Sequence, residues 1–115
     1  MNHKELDVWK SSMELVISIY DLTKTFLVEE KFGLVSQMRR TVVSIPSNLA
    51  EGCARKGDKE LLHFIYIALG SLSELDTQYI IAQKLHFVNE NNELNLQLEK
   101  VKRLLLGFKR YINNK

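Results

Sequence analysis

A chain of 115 residues with 45% hydrophobic and 26% charged side chains has the size of one domain and the balance of a folded protein, not of a disordered one. One proline and five glycines argue against a turn-rich all-β fold, and the single cysteine, Cys53, excludes an intramolecular disulfide and a cysteine-rich zinc site. The net charge of +2 does not by itself mark a nucleic-acid binder, no apolar run reaches the roughly 20 residues that span a bilayer, and the opening Met1-Asn2-His3-Lys4-Glu5-Leu6-Asp7 has no signal-peptide core, so the cytoplasm is the expected address.

Four segments carry helical periodicity. The first is predicted at about 7–27, with Asp7 as N-cap. Its apolar positions form two adjoining rows, Val8, Leu15, Ile19, Leu22, Phe26 and Trp9, Val16, Tyr20, Leu27; Glu29-Glu30 and Gly33 then mark a loop. The second is predicted at about 34–54, with Leu34, Val35, Met38, Val42, Ile45, Leu49 and Cys53 on one face. Pro46 interrupts its hydrogen bonding, yet the apolar phase continues beyond it, which predicts a kink rather than a break. The freed Val42 carbonyl would be met by a hydroxyl such as that of Ser47, or by water. Arg55-Lys56-Gly57 reads as a tight turn.

Asp58 is the expected N-cap of the third segment, about 58–86. Its main stripe is Leu61, Phe64, Ile65, Ala68, Leu72, Leu75, Tyr79 and Ala82, but Leu62, Tyr66, Leu69 and Ile80 form a second, and Ile67, Ile81 and Leu85 lie on the far side. A helix apolar over most of its circumference needs covering on most of it, and a subunit interface is the natural cover. The fourth segment, about 89–113, has one clean stripe: Leu94, Leu98, Val101, Leu105, Phe108 and Ile112. Short connections between long helices imply one domain over 1–115, an all-α, up-down-up-down antiparallel four-helix bundle.

Charge is distributed in blocks. Residues 1–32 carry four basic and six acidic side chains, 33–59 five and two, 60–99 one and six, and 100–115 six and none. Such alternation either lets antiparallel neighbours attract or offers a basic surface to a polyanion. On the second helix Gln37, Arg40, Ser44, Asn48, Glu51 and Arg55 recur at spacings of three and four, a polar stripe flanking the core face. Arg40 and Asn48 can bracket Ser44, and Glu51 can pair with Arg55. The stripe is a solvated face or an ordered network at an interface or ligand surface.

Gly33-Leu34-Val35-Ser36-Gln37-Met38-Arg39-Arg40 followed by Val43-Ser44-Ile45-Pro46-Ser47-Asn48-Leu49-Ala50-Glu51-Gly52 closely resembles the signature of the four-helix-bundle proteins associated with 23S rRNA intervening sequences. Leu6-x-Val8-Trp9, Tyr20 with Leu22-Thr23, and Ala68-Leu69-Gly70-Ser71 with Glu74-Leu75 extend the likeness over nearly the whole chain. Leu27 departs from it, standing where those proteins commonly have a proline before the acidic pair. The resemblance implies a compact bundle assembling as a ring-like homopentamer. It also implies kinship with the accessory protein of diversity-generating retroelements, a basic pentameric barrel that engages nucleic acid and a reverse transcriptase. By that analogy the chain would bind RNA or DNA, or a protein that handles it.

Enzymatic and metal chemistry find little support. Glu60-Leu61-Leu62-His63 has the spacing of di-metal bundle sites but lacks a second copy and the two further glutamates. Cys53 lies on the core stripe without an evident histidine partner, which suits a small buried side chain better than a nucleophile. No phosphate-cradling glycine motif is present, and the aromatics fall mainly at core spacing. The expectation is therefore a non-enzymatic homo-oligomer without cofactor, metal or membrane attachment. It would contact nucleic-acid phosphates through Arg39, Arg40, Arg55, Lys56, Lys102, Arg103, Lys109 and Arg110. The alternative is a structural or adaptor pentamer whose polar stripe contacts a protein.

Overall fold

The periodic segments become four α-helices and no strand in a computed structural model that describes residues 1–115. They are α1 (Asp7–Thr23), α2 (Leu34–Ala54), α3 (Asp58–Lys84) and α4 (Asn92–Asn113), with single 3-10 turns at His3–Glu5 and Val28–Glu30. Each helix turns one stripe inward, and Leu15, Ile19, Met38, Val42, Ile45, Leu49, Ile65, Leu75 and Leu105 are fully enclosed. Both α1 and α3 pack on α2 and on α4, so the four make a square in cross-section, with α2 and α3 the most extensively packed pair. The molecule is 46 Å long, and no helix is long and apolar enough to cross a membrane.

Three helix ends differ from the sequence expectation, each for a local reason. The helix α1 stops at Thr23 rather than near Leu27, because threonine hydroxyls bind its last carbonyls: Thr23 Oγ1 donates to Ile19 O at 2.8 Å and Thr25 Oγ1 to Leu22 O at 2.8 Å. Phe26 is still buried, but from the connection, where its ring lies 5.7 Å from that of Phe87. The helix α3 stops at Lys84 rather than His86. His86 takes φ 63, Phe87 N donates to Ala82 O at 2.9 Å, and His86 N to Gln83 O at 3.0 Å. This is the Schellman stop with histidine in the place glycine usually takes. The helix α4 begins at Asn92 rather than Asn89, because Asn91 is the residue whose side chain caps it, accepting from Leu94 N at 3.0 Å. Asn91 N also donates to the hydroxyl of buried Tyr79 at 2.7 Å, fixing the cap against α3. Asp7 and Asp58 are the first helical residues rather than N-caps; Leu6 and Gly57 hold those places, Gly57 at φ 89. In the first helical turn both carboxylates still complement the helix dipole.

The helix α2 runs unbroken through Pro46, which is itself buried. Side chains around the proline bond the carbonyls of this stretch: Thr41 Oγ1 lies 2.8 Å from Gln37 O, Ser44 Oγ donates to Thr41 O at 2.6 Å, and Asn48 Nδ2 to Ser44 O at 2.7 Å. Ser47 is exposed and does not make the expected bond to Val42 O. Near its end α2 comes very close to α3. A Cβ on Gly52 would lie 2.8 Å from Phe64 Cβ and 3.0 Å from Leu61 Cδ1.

Two stability predictions follow from this geometry. In a helix interior Gly→Ala ordinarily gains roughly 1 kcal/mol, but Gly52→Ala meets the α3 side chains and is expected to cost about 1–3 kcal/mol as overpacking. Gly107→Ala, whose Cβ would meet only Arg110 Nη2 at 3.9 Å, should show the ordinary gain. Urea denaturation of the two variants gives opposite signs if α2 and α3 pack this closely. Leu27, with φ −59, ψ 144 and 61% exposure, already holds proline-like dihedrals. Leu27→Pro is therefore expected to stabilise by about 0.4–1 kcal/mol through the unfolded chain, read as a higher denaturation midpoint with an unchanged slope.

Candidate nucleic-acid interface

The basic residues expected to contact phosphate separate into two groups. Arg39 and Arg40 lie in the second turn of α2, beside the end of α1. Arg39 is tied there: Nε donates to Thr23 Oγ1 at 2.9 Å, Nη2 to Tyr20 O at 3.3 Å, and the guanidinium lies 4.5 Å from the Tyr20 ring centroid. A cation bonded to the Tyr20 carbonyl and the Thr23 hydroxyl in the last turn of α1 offsets the negative end of its dipole, so this half-buried arginine caps a neighbouring helix. Arg40 is exposed and makes no ion pair or side-chain hydrogen bond.

The second group gathers at the far end of α2. Lys115 Nζ lies 3.6 Å from Asp58 Oδ1, which brings the end of α4 beside the start of α3 and the α2–α3 turn. Arg55 and Lys56 in that turn therefore share an end of the molecule with Lys109 and Arg110. Arg55 is bound on two sides, to Glu51 Oε1 at 2.6 Å and over the Phe64 ring at 5.1 Å. Lys109 lies over Tyr66 of α3 at 5.6 Å. Lys102, Arg103 and Arg110 line one shallow concavity of about 240 Å³ on α4, with Glu99 and Leu106 in its wall. Cations held over exposed aromatic faces were not legible as such. Tyr66 and Tyr111 are exposed, with Lys109 and Lys115 over them, although the aromatics as a class read as core. Lys115 follows Tyr111 by four residues, a signal the sequence carried; the Lys109–Tyr66 pair joins two helices and had none.

The polar stripe of α2 is not one network. Glu51 and Arg55 pair as expected, but Ser44 and Asn48 bond backbone carbonyls of their own helix, and Arg40 does not bracket Ser44. Gln37, Arg40, Glu51 and Arg55 are exposed, while Ser44 and Asn48 are half-buried. The polar link from α2 to α3 is instead made by Thr41, a residue outside the stripe, whose hydroxyl lies 2.9 Å from Glu74 Oε1. Cys53 is buried in the core face, and burial pushes its thiol above the ordinary value, away from the reactive thiolate. His63 is exposed and stacks edge-on against Phe64 at 5.5 Å.

With this arrangement in view, comparison with known families is decisive: the model of the 23S rRNA-intervening sequence protein matches residues 4–107. The chain belongs to that family. No curated protein matches it. The match covers the first three helices and most of α4, and includes the α2 run from Gly33 to Gly52. Lys102 and Arg103 lie inside the matched span, while Lys109, Arg110 and Lys115 lie beyond it.

Arg39→Ala removes two hydrogen bonds and a cation–π contact, and is expected to lower stability by about 1–2 kcal/mol. Arg39→Lys should recover little of it, because an ammonium cannot fork between Thr23 and Tyr20. Arg40→Ala should stay within about 0.5 kcal/mol of the parent. Parallel urea titrations check all three.

Proposed function

We propose that this member of the family is a non-enzymatic, ring-like homo-oligomer that binds RNA or DNA through its phosphates. The helices run up-down-up-down. Arg39 near the start of α2 reaches the end of α1, and Lys115 near the end of α4 reaches the start of α3, both as antiparallel neighbours require. Apolar side chains left outside the bundle support assembly, among them Tyr66, Ile67, Ile80, Ile81 and Leu85 on α3. Five copies is the number the family resemblance implies. The cytoplasm, where a lone thiol stays reduced, is the fitting compartment.

The observation that carries the binding reading is the convergence of two basic segments at one end of the molecule. Arg55 and Lys56 from the α2–α3 turn sit there with Lys109 and Arg110 from α4, and Arg103 continues the positive surface along α4. A ring repeats that end once per copy, which multiplies the field a polyanion meets. Phosphate contacts made this way discriminate little between sequences.

Titration against RNA, single-stranded DNA and duplex DNA at several salt concentrations tests the reading. Affinity should fall with salt at a log–log slope of about −0.7 to −0.9 per phosphate contact. Replacing Lys56, Arg103 and Arg110 together by alanine should weaken binding to every sequence and flatten that slope. If the parent protein does not associate with any of the three at ~50 mM salt, where phosphate contacts are strong, the adaptor reading, a pentamer that binds a protein partner, replaces this one.

A further inference from the structure

Two grooves on opposite sides of the square carry opposite charge. Between α1 and α2 a groove of about 470 Å³ is lined by Tyr20, Lys31, Phe32, Arg39, Arg40 and Val43, with no carboxylate among its lining residues. Between α3 and α4 a groove of about 440 Å³ presents Asp76, Glu90 and Glu99 around Leu69, Ile80 and Leu98, with Lys102 as its only cation. The charges on both sides are largely unanswered within the chain. Lys31, Arg40, Asp76, Glu90 and Glu99 enter none of its ion pairs. Each groove also carries apolar surface that its own bundle does not cover: Phe32 is 89% exposed on one side and Ile80 42% on the other.

We propose that the α1–α2 groove of one copy receives the α3–α4 groove of the next, so that the assembly is head-to-tail. This rests on the oligomeric reading above and names the surfaces that make it. Charge complementarity chooses the occupant, since the α3–α4 groove offers the carboxylates and the apolar surface that the α1–α2 groove lacks partners for. A two-fold dimer through either groove would set like charges against each other. The packing order places the two grooves on opposite sides, because α1 does not touch α3 and α2 does not touch α4.

Their height bears on whether such a contact rises from copy to copy. Phe26 and Phe87 pack at 5.7 Å, so the α1–α2 and α3–α4 connections lie at one end of the molecule. One groove is built from residues flanking the first connection and the other from residues flanking the second. Both open toward that shared end and overlap in height, although the α3–α4 groove runs farther down the bundle, to Leu69 and Lys102, than the α1–α2 groove, which stops at Val43. A heterologous contact closes into a ring when the rotation from one copy to the next closes without a rise, and otherwise runs on as an open filament. The same placement leaves Arg55, Lys56, Lys109 and Arg110, at the other end, outside the contact, whereas Lys102 lines the α3–α4 groove and belongs to the contact rather than to the phosphate-binding surface.

Charge reversal with light scattering tests it, with circular dichroism confirming that each variant is helical. Lys31→Glu with Arg40→Glu makes both grooves acidic, and Asp76→Lys with Glu99→Lys makes both basic. Each pair of changes should reduce the particle to monomer mass at micromolar concentration. All four changes in one chain restore opposite signs across the contact and should return the parent mass. Folded variants that keep the parent mass, or a fourfold variant that does not regain it, would overturn the contact while leaving the oligomer standing. So would loss of assembly on Ile67→Glu and Ile81→Glu with both reversals silent, which would place the interface on the outer face of α3. A parent protein that is itself monomeric would remove the oligomeric reading, and this contact with it.

Discussion

The helix α2 lies as close to α3 as it does because position 52 has no Cβ. Much of the bundle is organised around that approach. It sets Leu61 and Phe64 against the α2 backbone, and the turn that follows brings Arg55 over the Phe64 ring. It also lets a 21-residue helix containing a proline stay in register with its 27-residue neighbour along the shared seam. Farther along that seam Thr41 and Glu74 add a polar link. Most of the adhesion there is burial of side chains such as Met38, Ile45, Leu49, Ile65 and Leu75, which contribute about 1.5–3 kcal/mol each when taken fully out of water.

Around this pair the surface charges follow two different logics. Some act inside the chain, as Arg39 does on the end of α1 and Arg55 does on Glu51 and Phe64. An exposed pair such as Glu51–Arg55 contributes only ~0.3–0.5 kcal/mol, so stability does not explain why so many other charges stand alone. Lys31, Arg40, Asp76, Glu90 and Glu99 have no ion-pair partner within their own chain, and neither do Lys102 and Arg103. Solvated or shared between molecules, they bear on recognition more than on folding.

The sequence displayed the helices better than their ends, and the ends better than the contacts between helices. Both bounds of α2 were legible because glycines punctuate it and its apolar phase is continuous through Pro46. The end of α1 was not, because Phe26 keeps the helical phase while sitting in a connection that buries it against Phe87. His86 concealed the stop of α3 because the left-handed residue there is not the glycine that normally marks it. Three asparagines within four residues, at 89, 91 and 92, left the α4 cap ambiguous until Leu94 N found its partner. For the candidate interface, the excess of positive charge in two blocks could be counted along the chain. That Arg39 belongs to α1, and that Lys109 rests on Tyr66, depended on contacts between residues 16 and 43 positions apart or between the helices that carry them, which no local spacing encodes.

The meeting of the two connections at Phe26 and Phe87 makes the molecule electrically lopsided along its length. Near that aromatic end Glu29, Glu30, Glu90 and Glu93 are balanced by Lys24, Lys31, Arg39, Arg40 and Lys84, while some 30 Å away, the length of a 20-residue helix, Arg55, Lys56, Lys59, Lys109 and Arg110 outnumber Glu51, Asp58 and Glu60, so that the net positive charge is set apart at one end. Such a separation gives the protein a permanent electric moment directed along the bundle axis. In the field of a polyanion that moment exerts a torque, turning the basic end forward before any side chain makes contact. Copies placed side by side at one level hold their moments parallel, so the moments add rather than cancel. An assembly of that kind has a front and a back.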